Sequence, residues 1–174
     1  MTKKESAKTN FIFNVCYQVF ILVLPLITAP YISRVLSPDN IGIYSYTQAF
    51  ANYFVLFAML GVNNYGNREI ARTRDDRTTL SKTFWEIYTT QAFLTVVLSI
   101  CYIVYIACFV TNNRTIYFIQ LFYVLSAGMD INWFCYGLEK FKVTVTRSTV
   151  IRICTAVAIF VFVKNQNDLW KYTL

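Results

Sequence analysis

The sequence predicts an all-α fold, a bundle of about five membrane-spanning helices that forms a single membrane domain over residues 1–174. Three observations predict this fold. Apolar residue types make up 56% of the chain and charged types only 14%, whereas a soluble domain is typically about one quarter charged. The apolar residues are grouped in runs of about 20, the length that a helix needs to cross roughly 30 Å of hydrocarbon. The basic residues are clustered between those runs.

Each predicted span corresponds to one apolar run. The five spans are Phe11–Ser33, Ile41–Val62, Phe84–Val110, Ile116–Gly137 and Thr144–Val163. The fourth run is interrupted by Asp130 and Asn132. The fifth can cross only if it includes Arg147 and Arg152 or holds them beside it, with their side chains extended toward one interface.

Local signals predict where some of these helices begin. Ser37 followed by Pro38 is typical of an N-cap and the first helical position, and Asp39 is favourably placed near the positive end of the helix dipole. Residues Thr83 to Glu86 match a capping box that would open the third span. Residues 112–115 predict a tight turn between the third and fourth spans.

The distribution of Lys and Arg predicts the orientation, because cytoplasmic flanks carry an excess of basic residues. With the N-terminus inside, twelve of these residues fall in inner segments and four in outer segments. The segment 63–83 is then a basic cytoplasmic loop. Its residues Arg68, Arg72 and Arg74 either follow the positive-inside rule alone or attract phosphate headgroups or a diphosphate-linked lipid substrate. The C-terminus lies outside, and the last residues are too few for a sixth span.

Composition excludes several classes of function. The chain has no His, which removes His-based acid–base chemistry and most zinc sites. It has no metal-ligand spacing and no paired carboxylates, and its five cysteines lie singly in apolar runs. The basic residues do not form one continuous face that would fit nucleic acid. The sequence therefore predicts a protein that is not an enzyme and that uses no metal or cofactor.

Polar residues inside the apolar runs are the candidate functional residues, because buried polar groups are costly in lipid. Gln48 and Asn52 are four apart and share a helix face, which either lines a polar cleft or forms hydrogen bonds between helices. Asp130 either faces a cavity or pairs with a basic residue such as Arg152. Arg34 and Arg152 either extend toward an interface or hold an anionic group.

Three ordered stretches resemble a known family. They are SRVLSPDNIGIYSY (Ser33–Tyr46), GVNNYGNREIAR (Gly61–Arg72) and DINWFCYGLEKFK (Asp130–Lys142). Together they are similar to the polysaccharide biosynthesis flippases, the bacterial Wzx-type O-antigen and capsule transporters of the multidrug/oligosaccharidyl-lipid/polysaccharide exporter superfamily. The set covers nearly the whole chain.

The resemblance implies a transporter of the bacterial cytoplasmic membrane with two six-helix lobes around a central cavity. Its substrate would be an undecaprenyl-diphosphate-linked oligosaccharide, moved from the inner to the outer leaflet by alternating access. The candidate substrate-binding residues are then Arg34, Gln48, Asn52 and Arg152. Arg34 would meet the diphosphate or sugar acids, and Asp130 would act in gating or ion coupling.

Five spans are fewer than one complete lobe, so the resemblance implies an incomplete N-terminal lobe. The expected partners are membrane lipids, the lipid-linked oligosaccharide, and either the missing helices or a polysaccharide-assembly protein. Two alternative functions remain open at this stage. One is a related exporter of drugs or lipid II, and the other is a membrane subunit that does not itself transport.

Overall fold

The computed structural model describes residue 19 and residues 21–173, and all regular structure in that part of the chain is helical. The all-α prediction is confirmed for these residues. The helices are α1 (Ile21–Val35), α2 (Pro38–Ala58), α3 (Val62–Thr73), α4 (Arg77–Phe109), α5 (Arg114–Ser126), α6 (Asn132–Gly137), α7 (Phe141–Phe162) and α8 (Leu169–Thr173). Two 3-10 turns, Ala127–Met129 and Gln166–Asp168, precede α6 and α8.

Two of the described helices are long and apolar enough to cross a membrane: α4, and Thr144–Phe162 of α7. The described part of the first predicted span, α1, is apolar but shorter, and the beginning of that span lies outside the described residues. Helix α2 has 21 residues, but polar side chains such as Gln48 and Asn52 reduce its hydropathy. The bundle of about five spans is therefore not confirmed.

The predicted fourth span, Ile116–Gly137, is not one helix. Helix α5 ends at Ser126, the 3-10 turn follows, and α6 begins only at Asn132. The predicted basic loop 63–83 is also mostly helical, because α3 occupies its first half and α4 begins at Arg77. In both places the structure has a short helix that was not predicted, α3 in the basic segment and α6 after the break. These two short helices pack together.

The observed starts of α2, α4 and α5 can be compared with the N-caps and the turn that the sequence predicts. The Ser37 prediction is confirmed: its side chain accepts a hydrogen bond from the backbone N–H of Asn40, and Pro38 opens α2. The predicted capping box at Thr83 is wrong, because α4 begins two turns earlier, behind Asp76. The Asp76 carboxylate accepts hydrogen bonds from the backbone N–H groups of Thr78 and Thr79 and from both hydroxyls. The turn before α5 is confirmed, with Asn113 at φ 56°.

The Asp76 cap predicts a pH-dependent contribution to stability. The hydroxyls of Thr79 and Thr78 lower the pKa of Asp76 from 3.8 to about 2. A carboxylate with a lowered folded-state pKa stabilises the fold above its unfolded pKa, and that contribution is lost as the pH falls through the folded value. We expect Asp76→Ala to lower the thermal midpoint of the purified chain at pH 6, with a difference that shrinks between about pH 4 and pH 2. A difference that stays constant down to pH 2 would contradict the assignment.

Two separate clusters of buried side chains distinguish the two ends of the bundle. At the end that we call the α3 end, Val62, Ile70, Ile87 and Trp133 form a buried cluster that joins α3, α4 and α6. At the opposite end, the α8 end, a second cluster joins α1, α5, α7 and α8; its buried members are Ile32, Leu36, Ile116, Val163 and Leu169. The sequence predicts that one set of basic residues lies on the inner side of the membrane. Nearly all members of this set that the structure describes belong to segments at the α3 end.

Candidate functional site

Helices α3 and α6 pack closely against each other at the α3 end. A Cβ atom added at Gly66 of α3 would lie 2.6 Å from ring atom Cε3 of Trp133 in α6. In the reverse direction, a Cβ atom added at Gly137 of α6 would lie 2.6 Å from Cβ of Ile70 in α3. Each helix thus presents a glycine to a large side chain of the other. These residues belong to two of the three stretches that carry the family resemblance.

Gln91 of α4 holds the break between α5 and α6. Its Nε2 donates to the carbonyl oxygens of Ala127, at 2.6 Å, and Asp130, at 2.9 Å. Its Oε1 accepts from the indole Nε1 of Trp133 at 2.9 Å. Gln91 is fully buried and Trp133 is only 1% exposed. One amide therefore satisfies the indole N–H and the Asp130 carbonyl, and it gives the Ala127 carbonyl a second donor besides the backbone N–H of Asp130.

Asp130 lies within this break, and its carboxylate has a local partner. Its Oδ1 accepts from the backbone N–H of Asn132 at 3.0 Å, which caps the start of α6. The expected alternative, a pair between Asp130 and Arg152, does not occur among the ion pairs of the described residues. A role of Asp130 in gating or ion coupling stays a prediction.

The predicted polar face of α2 borders the buried face of that helix. Asn52 is exposed, and its Oδ1 accepts from the hydroxyl of Tyr123 in α5 at 3.0 Å. Gln48 is half-buried. Tyr123 is 38% exposed and was not predicted, because a Tyr in an apolar aromatic run carries no distinctive signal. The pair places one amide and one phenol together on the surface between α2 and α5.

Only one of the two predicted arginines lines the groove beside α1. The exposed Arg152 of α7 lines an open groove of about 820 Å³ together with residues of α1. The other residues that line this α1–α7 groove are Ile21, Leu22, Pro25, Leu26, Ala29, Pro30 and Ser33. Arg34 is exposed and follows Ser33, and it is not among the residues that line the groove. The length of α1 between Leu22 and Arg34 is about 18 Å.

Most of the cations around α3 have carboxylate neighbours. Glu69 contacts both Arg68, at 3.4 Å, and Arg72, at 3.2 Å. Arg74 lies 2.6 Å from Glu139, and that hydrogen bond raises the pKa of Arg74. These side chains are mostly exposed, and such pairs contribute little to stability. Their charges are partly compensated, which weakens the alternative that this segment gathers phosphate groups.

Comparison with known proteins identifies the family. Residues 7–174 match the family described as "Polysaccharide biosynthesis protein". The chain belongs to this family. The resemblance that the three stretches carry is therefore confirmed, and membership identifies the chain as a membrane protein.

Two curated relatives have similar names. A "Putative O-antigen transporter" from Escherichia coli (strain K12) is 28% identical over 171 residues, which cover 97% of this chain and 41% of the relative. A protein of the same name from Shigella dysenteriae is 26% identical over 149 residues, 84% of this chain and 37% of the relative. The chain of this polysaccharide biosynthesis family member thus spans about two fifths of the length of these relatives. Their names describe transporters rather than enzymes. No solved structure matches the chain significantly.

Proposed function

We propose that this chain forms part of the helix bundle of a transporter that moves undecaprenyl-diphosphate-linked oligosaccharide across the bacterial cytoplasmic membrane. The transport supplies surface polysaccharide such as O-antigen, and it proceeds by alternating access. The family match over residues 7–174 carries this proposal. The names of the two relatives support the same substrate class.

The proposed arrangement in the membrane is multi-pass with a cytoplasmic N-terminus. The excess of basic residues in alternate segments supports this orientation. Helices α4 and α7 support a membrane-spanning bundle. In this arrangement the α3 end faces the cytoplasm, and the remaining helices of the transporter lie beside the described ones.

The proposed site residues divide by chemistry. Arg34 and Arg152 hold anionic groups, the diphosphate or sugar acids, because a guanidinium binds phosphate and carboxylate oxygens through several donors. Gln48 and Asn52 bind sugar hydroxyls, since an amide both donates and accepts. Asp130 acts in gating, at the break that Gln91 holds.

A chimera tests the proposed function. The segment of the Escherichia coli relative that aligns with this chain is replaced by the chain, in a host that lacks the relative and makes the O-antigen repeat unit. We expect the chimera to restore O-antigen on the cell surface, measured by gel analysis of lipopolysaccharide. Arg34→Gln and Asp130→Asn should lower that amount several-fold, whereas Cys101→Ser, at an exposed cysteine of α4, should not. A chimera present in the membrane at the normal level that restores no O-antigen would contradict the proposal.

A further inference from the structure

The α1–α7 groove is lined by seven residues of α1 and by Arg152 of α7. Near the α8 end, the hydroxyl of Tyr31 donates to the carbonyl oxygen of Val163 at 2.8 Å, and its ring lies 4.7 Å from that of Phe160. Farther toward the α3 end, Leu22 of α1 and Arg152 of α7 line the same groove. The contacts of Tyr31 therefore join α1 to the end of α7 near the α8 end, and the cation of the groove lies farther toward the α3 end.

Arg152 lies midway along a helix that can span the membrane. It is eight residues after Thr144 and ten before Phe162, the bounds of the candidate span, or about 12 Å and 15 Å along the helix. A charged side chain at that depth is costly and marks a functional site when it has a suitable partner. No ion pair among the described residues includes Arg152. An anionic ligand in the groove would therefore meet a cation that no carboxylate among these residues pairs with.

The residues of the groove other than Arg152 indicate which chemical group could lie beside an anion bound to that arginine. Apart from Arg152 and Ser33, the described side chains that line it are apolar. Its length along α1, from Ile21 to Ser33, is about 18 Å, about three fifths of the roughly 30 Å hydrocarbon core. Its volume of about 820 Å³ lies within the usual range of ligand sites. A hydrocarbon chain fits the apolar wall, and a phosphate group fits the cation.

We propose that the α1–α7 groove binds the lipid portion of the substrate during transport, with the diphosphate on Arg152 and the polyprenyl chain along Leu22, Leu26 and Ala29. This inference rests on the proposed function. A resident phospholipid keeps its phosphate at the membrane surface, whereas a transported lipid diphosphate has to pass the middle of the bilayer. The proposal thus predicts that Arg152 binds the diphosphate of a lipid in transit and not the phosphate of a resident phospholipid.

Native mass spectrometry of the purified chain in detergent tests the groove, with undecaprenyl diphosphate as the probe. We expect Arg152→Gln to weaken binding at least tenfold and Arg152→Lys to weaken it less, because Lys keeps the charge but not the fork of donors. Ala29→Trp fills the apolar wall and should also weaken binding. Arg147→Gln is the matched control: Arg147 is exposed on the same helix and does not line the groove.

Three further probes separate the contributions. Undecaprenol lacks the diphosphate and inorganic diphosphate lacks the chain, so each should bind at least tenfold more weakly than the complete lipid. Phosphatidylglycerol should bind without dependence on Arg152. The proposal is overturned if Arg152→Gln binds the probe as the unchanged chain does, if Arg147→Gln weakens binding equally, or if phosphatidylglycerol shows the same dependence on Arg152.

The transport assay keeps this inference apart from the proposed function. If the chimera restores O-antigen and Arg152→Gln leaves both transport and lipid binding unchanged, the groove assignment alone fails. If the groove binds undecaprenyl diphosphate through Arg152 while the chimera restores no O-antigen, the transport proposal alone fails.

Discussion

Replacing Gly66 by Ala is expected to destabilise the chain by about 1–3 kcal/mol, the usual cost of overpacking a closely packed contact. The added Cβ would lie 2.6 Å and 2.8 Å from ring atoms Cε3 and Cδ2 of Trp133. The indole has little room to move, because it is 1% exposed, stacks 5.6 Å from the ring of Phe84 and donates to Gln91. The change would therefore separate α3 from α6.

Gly42→Ala is the matched control for this prediction. Gly42 also lies in a helix, α2, but a Cβ atom there meets nothing within 4 Å. Ala is favoured over Gly in a helix by about 1 kcal/mol, so this control should keep or raise the thermal midpoint. The measurement is thermal unfolding of the purified chain, followed by size-exclusion chromatography. If both alanine variants raise the midpoint equally, the close contact at Gly66 does not exist.

Gln91→Leu is expected to cost about 3 kcal/mol or more. The change leaves the Trp133 indole N–H and the Asp130 carbonyl without their partner, and each unsatisfied buried group costs roughly 1–3 kcal/mol. The Ala127 carbonyl loses Gln91 but keeps the backbone N–H of Asp130. Gln91→Glu is informative because the carboxylate still accepts from Trp133 but no longer donates to the two carbonyls. It should also be destabilising, with the added cost of a buried charge.

The control for Gln91 is the same substitution at Gln48. The Gln48 side chain is half-buried, and no hydrogen bond between described residues includes it. Gln48→Leu should change the thermal midpoint little, since no partner is left unsatisfied. Equal destabilisation by both changes would mean that loss of the amide, and not the network at the break, causes the effect.

The sequence predicts the helical class and the helix starts that depend on local chemistry. Ser37 and Pro38 define the start of α2 through contacts within one turn, so the pattern is sufficient. The start of α4 at Asp76 could not be distinguished from Thr83, because both positions offer an N-cap side chain. The break after Ser126 depends on Gln91, which is 36 residues away from Ala127. A contact so distant in the chain leaves no trace in local periodicity.

The candidate site was only partly predictable for the same reason. Arg152 and Asn52 could be selected because polar groups are rare in apolar runs. The hydrogen bond of Asn52 with Tyr123 and the position of Arg152 beside α1 depend on how helices pack. The helical nature of α3 was also missed, because a segment rich in Arg and Asn was interpreted from its charge rather than from its buried residues Val62, Gly66 and Ile70.

The paired glycines of α3 and α6 also limit how this family can diverge. A larger residue at position 66 requires a smaller one in place of Trp133, and a larger residue at position 137 requires a smaller one in place of Ile70. Among homologous sequences, we therefore expect replacements at 66 and 133, and at 137 and 70, to occur together. Single replacements at either glycine should be rare in natural variants.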